Sequence, residues 1–101
     1  MAEFFKKIIF KKAKSFWGAD IQLNMLVEEL GELIVAIMHY KRHNRPETID
    51  DIKEEIADVT LMLDQIRFML EIKDSDINEI ITEKLTRTFK RLQMEEKLAK
   101  Q

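Results

Sequence analysis

The stretch Leu23-Asn24-Met25-Leu26-Val27-Glu28-Glu29-Leu30-Gly31-Glu32-Leu33-Ile34-Val35-Ala36-Ile37 carries a helical period with three acidic groups written into it. Leu23, Leu26, Val27, Leu30, Leu33, Ile34 and Ile37 recur three and four residues apart, and at about 100° per residue they span an arc of roughly 120°. The spacing predicts a helix from about Asp20, its N-cap, to about His43. Glu29 falls at the rim of the apolar arc and Glu32 beyond it. Glu28 lies further round, toward solvent.

Downstream, Arg42-His43-Asn44-Arg45-Pro46 reads as a loop, because proline disfavours helix in the residue before it and tolerates a helix start just after. Thr48 with Asp51 reads as a capping box for a third helix running to about Ile72. Its expected buried stripe is Ile52, Ile56, Val59, Leu63, Ile66 and Leu70, with Glu55 at the edge, Asp58 one step outside and Glu54 pointing away. Residues 74–76 break that helix, with Asp74 or Ser75 as cap. A further one is predicted from about Asp76 to Lys97, with a stripe of Ile77, Ile81, Leu85, Thr88 and Leu92 and with Lys84 and Arg91 on one flank. Upstream, residues 1–16 form a basic amphipathic helix in which Phe4, Phe5, Ile8, Ile9 and Phe10 alternate with lysines. The expectation is that it packs its aromatic face on the bundle or on a partner subunit rather than on a membrane surface.

Two glycines and one proline in 101 residues leave little material for hairpins, and 46% hydrophobic content is that of an ordinary folded chain. The fold class is therefore all-α: an antiparallel bundle of three long helices plus a short N-terminal helix, completed by self-association. The net charge of −2 divides unevenly, since residues 1–16 carry five lysines against one glutamate, a local +4 that leaves the remainder at −6. An acidic body argues against nucleic acid as a partner. Cysteine is absent, so thiolate metal sites and disulfides are excluded. No run reaches the length of a membrane span and the N-terminus lacks a secretory pattern, so the expected location is cytoplasmic.

Glu29 with Glu32, and Glu55 with Asp58, each span one turn and so share a helix face. Glu47 with Asp50, Asp51 with Glu54, and Asp76 with Glu79 have the same spacing, so spacing alone decides nothing in a chain that is 36% charged. Placement separates the two pairs from the rest. Both edge an apolar stripe, and a short connection makes their helices antiparallel neighbours, with the pairs at matching heights to within about one turn, or 5.4 Å. Four converging carboxylates repel one another unless they hold protons or cations. Oxygen-only ligation favours Mg²⁺, with Mn²⁺ as substitute, over zinc. A diiron bundle needs Glu-x-x-His on two helices, and neither His39 nor His43 has an acidic residue three positions before it.

In order and spacing, Glu28-Glu29-Leu30-Gly31-Glu32 and Glu55-Ile56-Ala57-Asp58 resemble the Glu-Glu-x-x-Glu and Glu-x-x-Asp pattern of MazG-like nucleotide pyrophosphohydrolases, of the all-α NTP pyrophosphatase superfamily. Trp17-Gly18 and the run from Glu54 through Val59 to Met62-Leu63-Asp64-Gln65 also look like short members of that group. The likeness covers roughly residues 17–92 and makes 17–101 the family domain, with 1–16 outside it. It implies hydrolysis of a nucleoside triphosphate, NTP or dNTP, to the monophosphate and pyrophosphate with Mg²⁺ held by Glu29, Glu32, Glu55 and Asp58, one of which orients or deprotonates the attacking water. Glu28 would support these ligands. Lys84 and Arg91, with Arg87 and Lys90 in reserve, would meet the outer phosphates, or else pair with Glu83 or Glu95. Trp17 and Gln22 would contact the base, unless Trp17 packs as an ordinary buried residue. The signature of the dimeric dUTPases is absent, whereas phosphoribosyl-ATP pyrophosphohydrolase shares the acidic pattern. The rival of a different class is a non-catalytic helical interaction module with a partner docked on residues 1–16.

Overall fold

The computed structural model describes residues 2–101, and helices account for nearly all of them: α1 (Ala2–Phe16), α2 (Gly18–Arg42), α3 (Pro46–Met69) and α4 (Asp74–Ala99). No strand occurs among the described residues. Two units make up the chain, one holding α1 to α3 and ending at Glu71, the other, Ile72–Gln101, holding α4.

The helix ends differ from the expectations by a few residues, for local reasons. Gly18 has φ +77°, the left-handed region that glycine enters without a Cβ clash, so α1 and α2 are separated by Trp17 alone and α2 begins before Asp20. Asp20 lies inside the first turn, where its charge complements the exposed N–H groups. Pro46 opens α3 with Arg45 as N-cap. Thr48 is therefore the third helical residue, not the cap: its hydroxyl accepts the Arg45 N–H at 3.1 Å and donates to the His43 carbonyl at 2.6 Å. At the far end α3 stops at Met69 rather than Ile72, because Glu71 turns to φ +57°. Lys73, not Asp74 or Ser75, caps α4 and leaves two acidic residues in the first turn.

Within the first unit, α2 and α3 pair antiparallel. Gln22 meets Gln65 and Met69 near the start of α2, and Glu29 and Glu32 meet Glu55 and Asp58 further along. The seam overlaps the expected stripes only in part: Leu26, Leu33, Ile52, Val59 and Ile66 lie in it, and the rest do not. The seam takes from α2 Gln22, Met25, Leu26, Glu29, Leu33, Ala36 and Tyr40 and from α3 Thr48, Ile52, Glu55, Val59, Met62, Gln65, Ile66 and Met69, all buried or half-buried, while half-buried Asp64 and Phe68 meet α1. Both series step by three and four, so each is one stripe of a helix. Leu23, Val27, Leu30, Ile34 and Ile37 on α2, and Ile56, Leu63 and Leu70 on α3, are exposed on adjoining faces. Apolar residues occupy more than one side of each helix, and the seam is the side that also carries the amides and two carboxylates.

At the Gln22 end the seam is polar yet satisfied. Gln22 is completely buried. Its Nε2 donates to the carbonyls of Gly18 at 3.1 Å and Ala13 at 3.3 Å and lies 3.0 Å from Met69 Sδ, while its Oε1 accepts from Gln65 Nε2 at 2.7 Å. Buried amides are tolerated when their partners are all present. α1 docks beside this network through buried Phe10, whose ring is 5.8 Å from that of Phe68, and buried Ala13. Lys6 reaches Asp64 at 3.3 Å, and Asp64 also accepts from Arg67 at 3.1 Å. Asp64 holds the Lys6 amine above its ordinary pKa, with Glu3 adding to the effect. Of the aromatic face expected to pack, only Phe10 is buried against its own chain; Phe4, Phe5, Ile8 and Ile9 remain exposed, as does Phe16.

α4, a unit to itself, has no buried residue. Thr82 and Thr86 donate their hydroxyls to carbonyls one turn back, both at 3.0 Å. Such back-bonding satisfies a threonine hydroxyl inside a helix.

Candidate metal centre

Two turns along the seam from the buried amides, α2 presents Glu29 and Glu32 and α3 presents Glu55 and Asp58. One carboxylate oxygen from each lies within 4.8 Å of those of the others. Glu29 and Glu55 belong to the seam itself and are half-buried, not rim residues as expected; Glu32 and Asp58 are exposed at its mouth. Helix geometry explains the arrangement, because each pair is three residues apart and the antiparallel pairing brings the two faces to one height.

Glu29 Oε2 and Glu55 Oε2 are shielded from solvent and have no hydrogen-bond partner among the described residues. Removal from water is the largest cause that raises the Glu29 pKa, followed by the negative charges of Glu32, Asp58 and Glu55. Glu55 is likewise raised, by desolvation first and then by Glu32 and Asp58. Two such oxygens call for either a proton or a positive charge. The donor set is all oxygen, anionic and within one ion's reach, which fits a hard divalent cation of the Mg²⁺ or Mn²⁺ kind.

Beside this cluster an open cleft of about 670 Å³ runs between α2 and α3. Glu32 and Glu55 belong to both. From α2 the cleft takes Glu28, Gly31, Val35, Ala36 and His39, successive members of one helix face, and from α3 it takes Asp51.

Residues 19–92 match the family model described as the MazG nucleotide pyrophosphohydrolase domain. The chain belongs to this family. No curated protein and no solved structure matches it at a significant level. For a MazG domain, a divalent-metal-dependent hydrolase of nucleotides, the acidic cluster is where such chemistry is expected, and all four of its residues fall inside the matched segment. No helix among the described residues is long and apolar enough to cross a membrane.

The other site residues expected of a MazG domain fare unequally. Gln22 is enclosed and its amide is used within the chain, so it ties helices together and does not face a nucleotide base. Trp17 is neither an ordinary buried tryptophan nor beside the acidic cluster: it is 41% exposed, edge-on to Phe16, in a separate groove at the end of α1. Glu28 is exposed, as expected, and faces the cleft. On α4, Lys84, Arg87 and Arg91 occupy one face at spacings of three and four, and Lys90 is exposed too. Arg91 pairs with Glu95 at 2.9 Å, one of the two partners anticipated for it. The sequence gives Gly31, Val35, Ala36 and Asp51 no role in the site. A glycine and an alanine carry no chemical signal in a sequence, and the spacing of Asp51 from Thr48 reads as a capping box.

Proposed function

We propose that the chain is a Mg²⁺-dependent nucleoside triphosphate pyrophosphohydrolase, turning NTP or dNTP and water into NMP or dNMP and pyrophosphate, and that copies of it associate into a homodimer or homotetramer. The observation that carries this reading is the convergence of Glu29, Glu32, Glu55 and Asp58 within 4.8 Å, two of them with a buried oxygen that nothing among the described residues satisfies. Those four residues hold the ion. When bound, it supplies electrophilic assistance at the phosphate oxygens and acidifies water. The chain contributes position and proton handling. Glu29 and Glu55 are fixed by the helix seam, while a carboxylate oxygen of the cluster orients the attacking water and takes its proton as the anhydride bridge between the α and β phosphates breaks. Family resemblance further assigns Lys84, Arg87 and Arg91 to the outer phosphates, where basic side chains offset negative charge.

A panel of canonical and modified NTPs and dNTPs, with phosphoribosyl-ATP among them, assayed for pyrophosphate at saturating Mg²⁺ tests the reading. Release from at least one substrate is expected, with Glu55→Gln lowering the rate by about a hundredfold or more. A panel without any release, together with Mn²⁺ affinity unchanged by Glu55→Gln, would leave a non-catalytic helical module as the better description.

A further inference from the structure

Helix α1 has two apolar sides, and the chain covers one of them. Lys6, Phe10 and Ala13, at spacings of four and three, form the docked side, with Phe10 against Phe68 and Lys6 on Asp64. At about 100° per residue, Phe4, Phe5, Ile8, Ile9 and Phe16 fill an arc of about 140°, centred about 140° away from that side. All five are exposed, Phe4 to 66%, Phe5 to 62% and Phe16 to 84%. Lys7, Lys11 and Lys14 border the arc and Lys12 lies within it. These four lysines are exposed and none has a carboxylate partner among the described residues. At the end of the helix the arc runs into an open groove of about 590 Å³ that includes Ile9, Phe16 and Trp17, with Lys11 and Lys12 beside them. Residues 19–92 are the part that matches the family, so this surface lies outside it, and neither the acidic cluster nor its cleft draws on α1.

Charge decides what covers such a face. Residues 1–16 carry a net +4 and the rest of the chain −6, so an anionic sheet attracts this helix and repels the remainder, which fixes one orientation. A twofold contact between two copies through the same face would set lysines against lysines. Phenylalanine and isoleucine on one side of a helix with lysines along its border, and a tryptophan at its end, is the composition that lies in the headgroup region of a bilayer. Lys12 fits there too, because its four-carbon stem can run over the apolar surface and carry the amine up to the headgroups. We propose that the outer face of α1 docks the protein on an anionic lipid bilayer, with Phe4, Phe5, Ile8, Ile9 and Phe16 at the acyl boundary and Lys7, Lys11, Lys12 and Lys14 on the headgroups. The helix lies on the surface and does not cross it, since no helix among the described residues is long and apolar enough to do so. Because the docked side points elsewhere, α1 reaches the lipid while Phe10 keeps its place on the chain.

The experiment is co-sedimentation of the full chain with vesicles of phosphatidylcholine alone and of equimolar phosphatidylcholine and phosphatidylserine, with the emission of Trp17, the one tryptophan, read in parallel. Wild type is expected to bind the anionic vesicles about tenfold or more tightly than the zwitterionic ones, less so as salt is raised, with Trp17 emission shifting to the blue. Phe4→Ser with Phe5→Ser should weaken anionic binding by about tenfold or more. Lys7→Gln with Lys11→Gln and Lys14→Gln should shrink the anionic preference to about threefold or less. The replaced side chains are exposed, so both variants should unfold in urea as cooperatively as wild type. Equal wild-type binding to the two vesicles, or anionic binding that survives the loss of Phe4 and Phe5, overturns the proposal. A smaller mass by light scattering for Phe4→Ser with Phe5→Ser in the absence of lipid assigns the face to a contact between copies and overturns it as well. None of these measurements depends on pyrophosphate release, so this proposal and the hydrolase reading fail separately.

Discussion

Gly18 and Gly31 are the only two glycines in the chain, and a methyl group should affect them oppositely. At Gly18, φ +77° places an alanine in the left-handed region, so Gly18→Ala should lower stability by about 1 kcal/mol. Gly31 is helical with open space over its Cα, so Gly31→Ala should raise stability by about 0.5–1 kcal/mol. Urea denaturation of both variants checks this, and shifts of the same sign would contradict it. The carboxylates make a second residue-scale prediction. Glu29 and Glu55 hold their protons more tightly in the folded chain than the ordinary value of 4.5, so in that window the native state binds more protons than the unfolded one. Without metal, their contribution to stability therefore falls as pH rises through the raised values and is fully unfavourable above them. Saturating Mg²⁺ reverses the sign, because ligation needs the ionised form. Thermal melts from pH 4.5 to 8 in EDTA and in Mg²⁺ should show it most clearly as the difference between wild type and Glu55→Gln. A difference that ignores both pH and Mg²⁺ would contradict the shared site.

At the scale of elements, α1 is held by few groups: Phe10, Ala13 and the Lys6–Asp64 pair. Half-exposed ion pairs contribute little, so the buried ring carries most of the attachment. Replacing a buried phenylalanine by alanine costs about 3–5 kcal/mol, and Phe10→Ala should release α1 before the α2–α3 seam opens. Hydrogen exchange should then show lost protection confined to residues of α1; uniform loss through α3 would mean that α1 and the seam fold as one unit. The helices, the loop before Pro46 and the matching heights of the acidic pairs were all legible, because periodicity and proline report backbone geometry directly. Which face forms the seam was legible only in part, through Leu26, Leu33, Ile52, Val59 and Ile66. A helical wheel weighs apolar residues, and the true contact stripe runs through Gln22, Glu29, Glu55 and Gln65, whose burial depends on partners distant in sequence. Leu23, Leu30, Ile56 and Leu63 drew the reading toward neighbouring faces.

For the molecule as a whole, those neighbouring faces are the outstanding physical fact. Val27 is 65% exposed, Ile34 62% and Ile56 50%, a large apolar surface for one chain to leave open to water. Proposed self-association buries it, and light scattering should give at least twice the 12.1 kDa chain mass at micromolar concentration. A monomer under those conditions, still active, would contradict this. The enclosed amides bear on the same scale. Glu29 lies seven positions after Gln22 and Gln65 seven after Asp58, so the amide contact and the acidic contact stand two turns apart on both helices. Sliding one helix by a turn, about 5.4 Å, would strand both amides in a dry interior. They act as a locating pin. Mutual repulsion among the acids, before any ion arrives, meets a joint that resists shear, and an incoming cation finds its socket already cut to size.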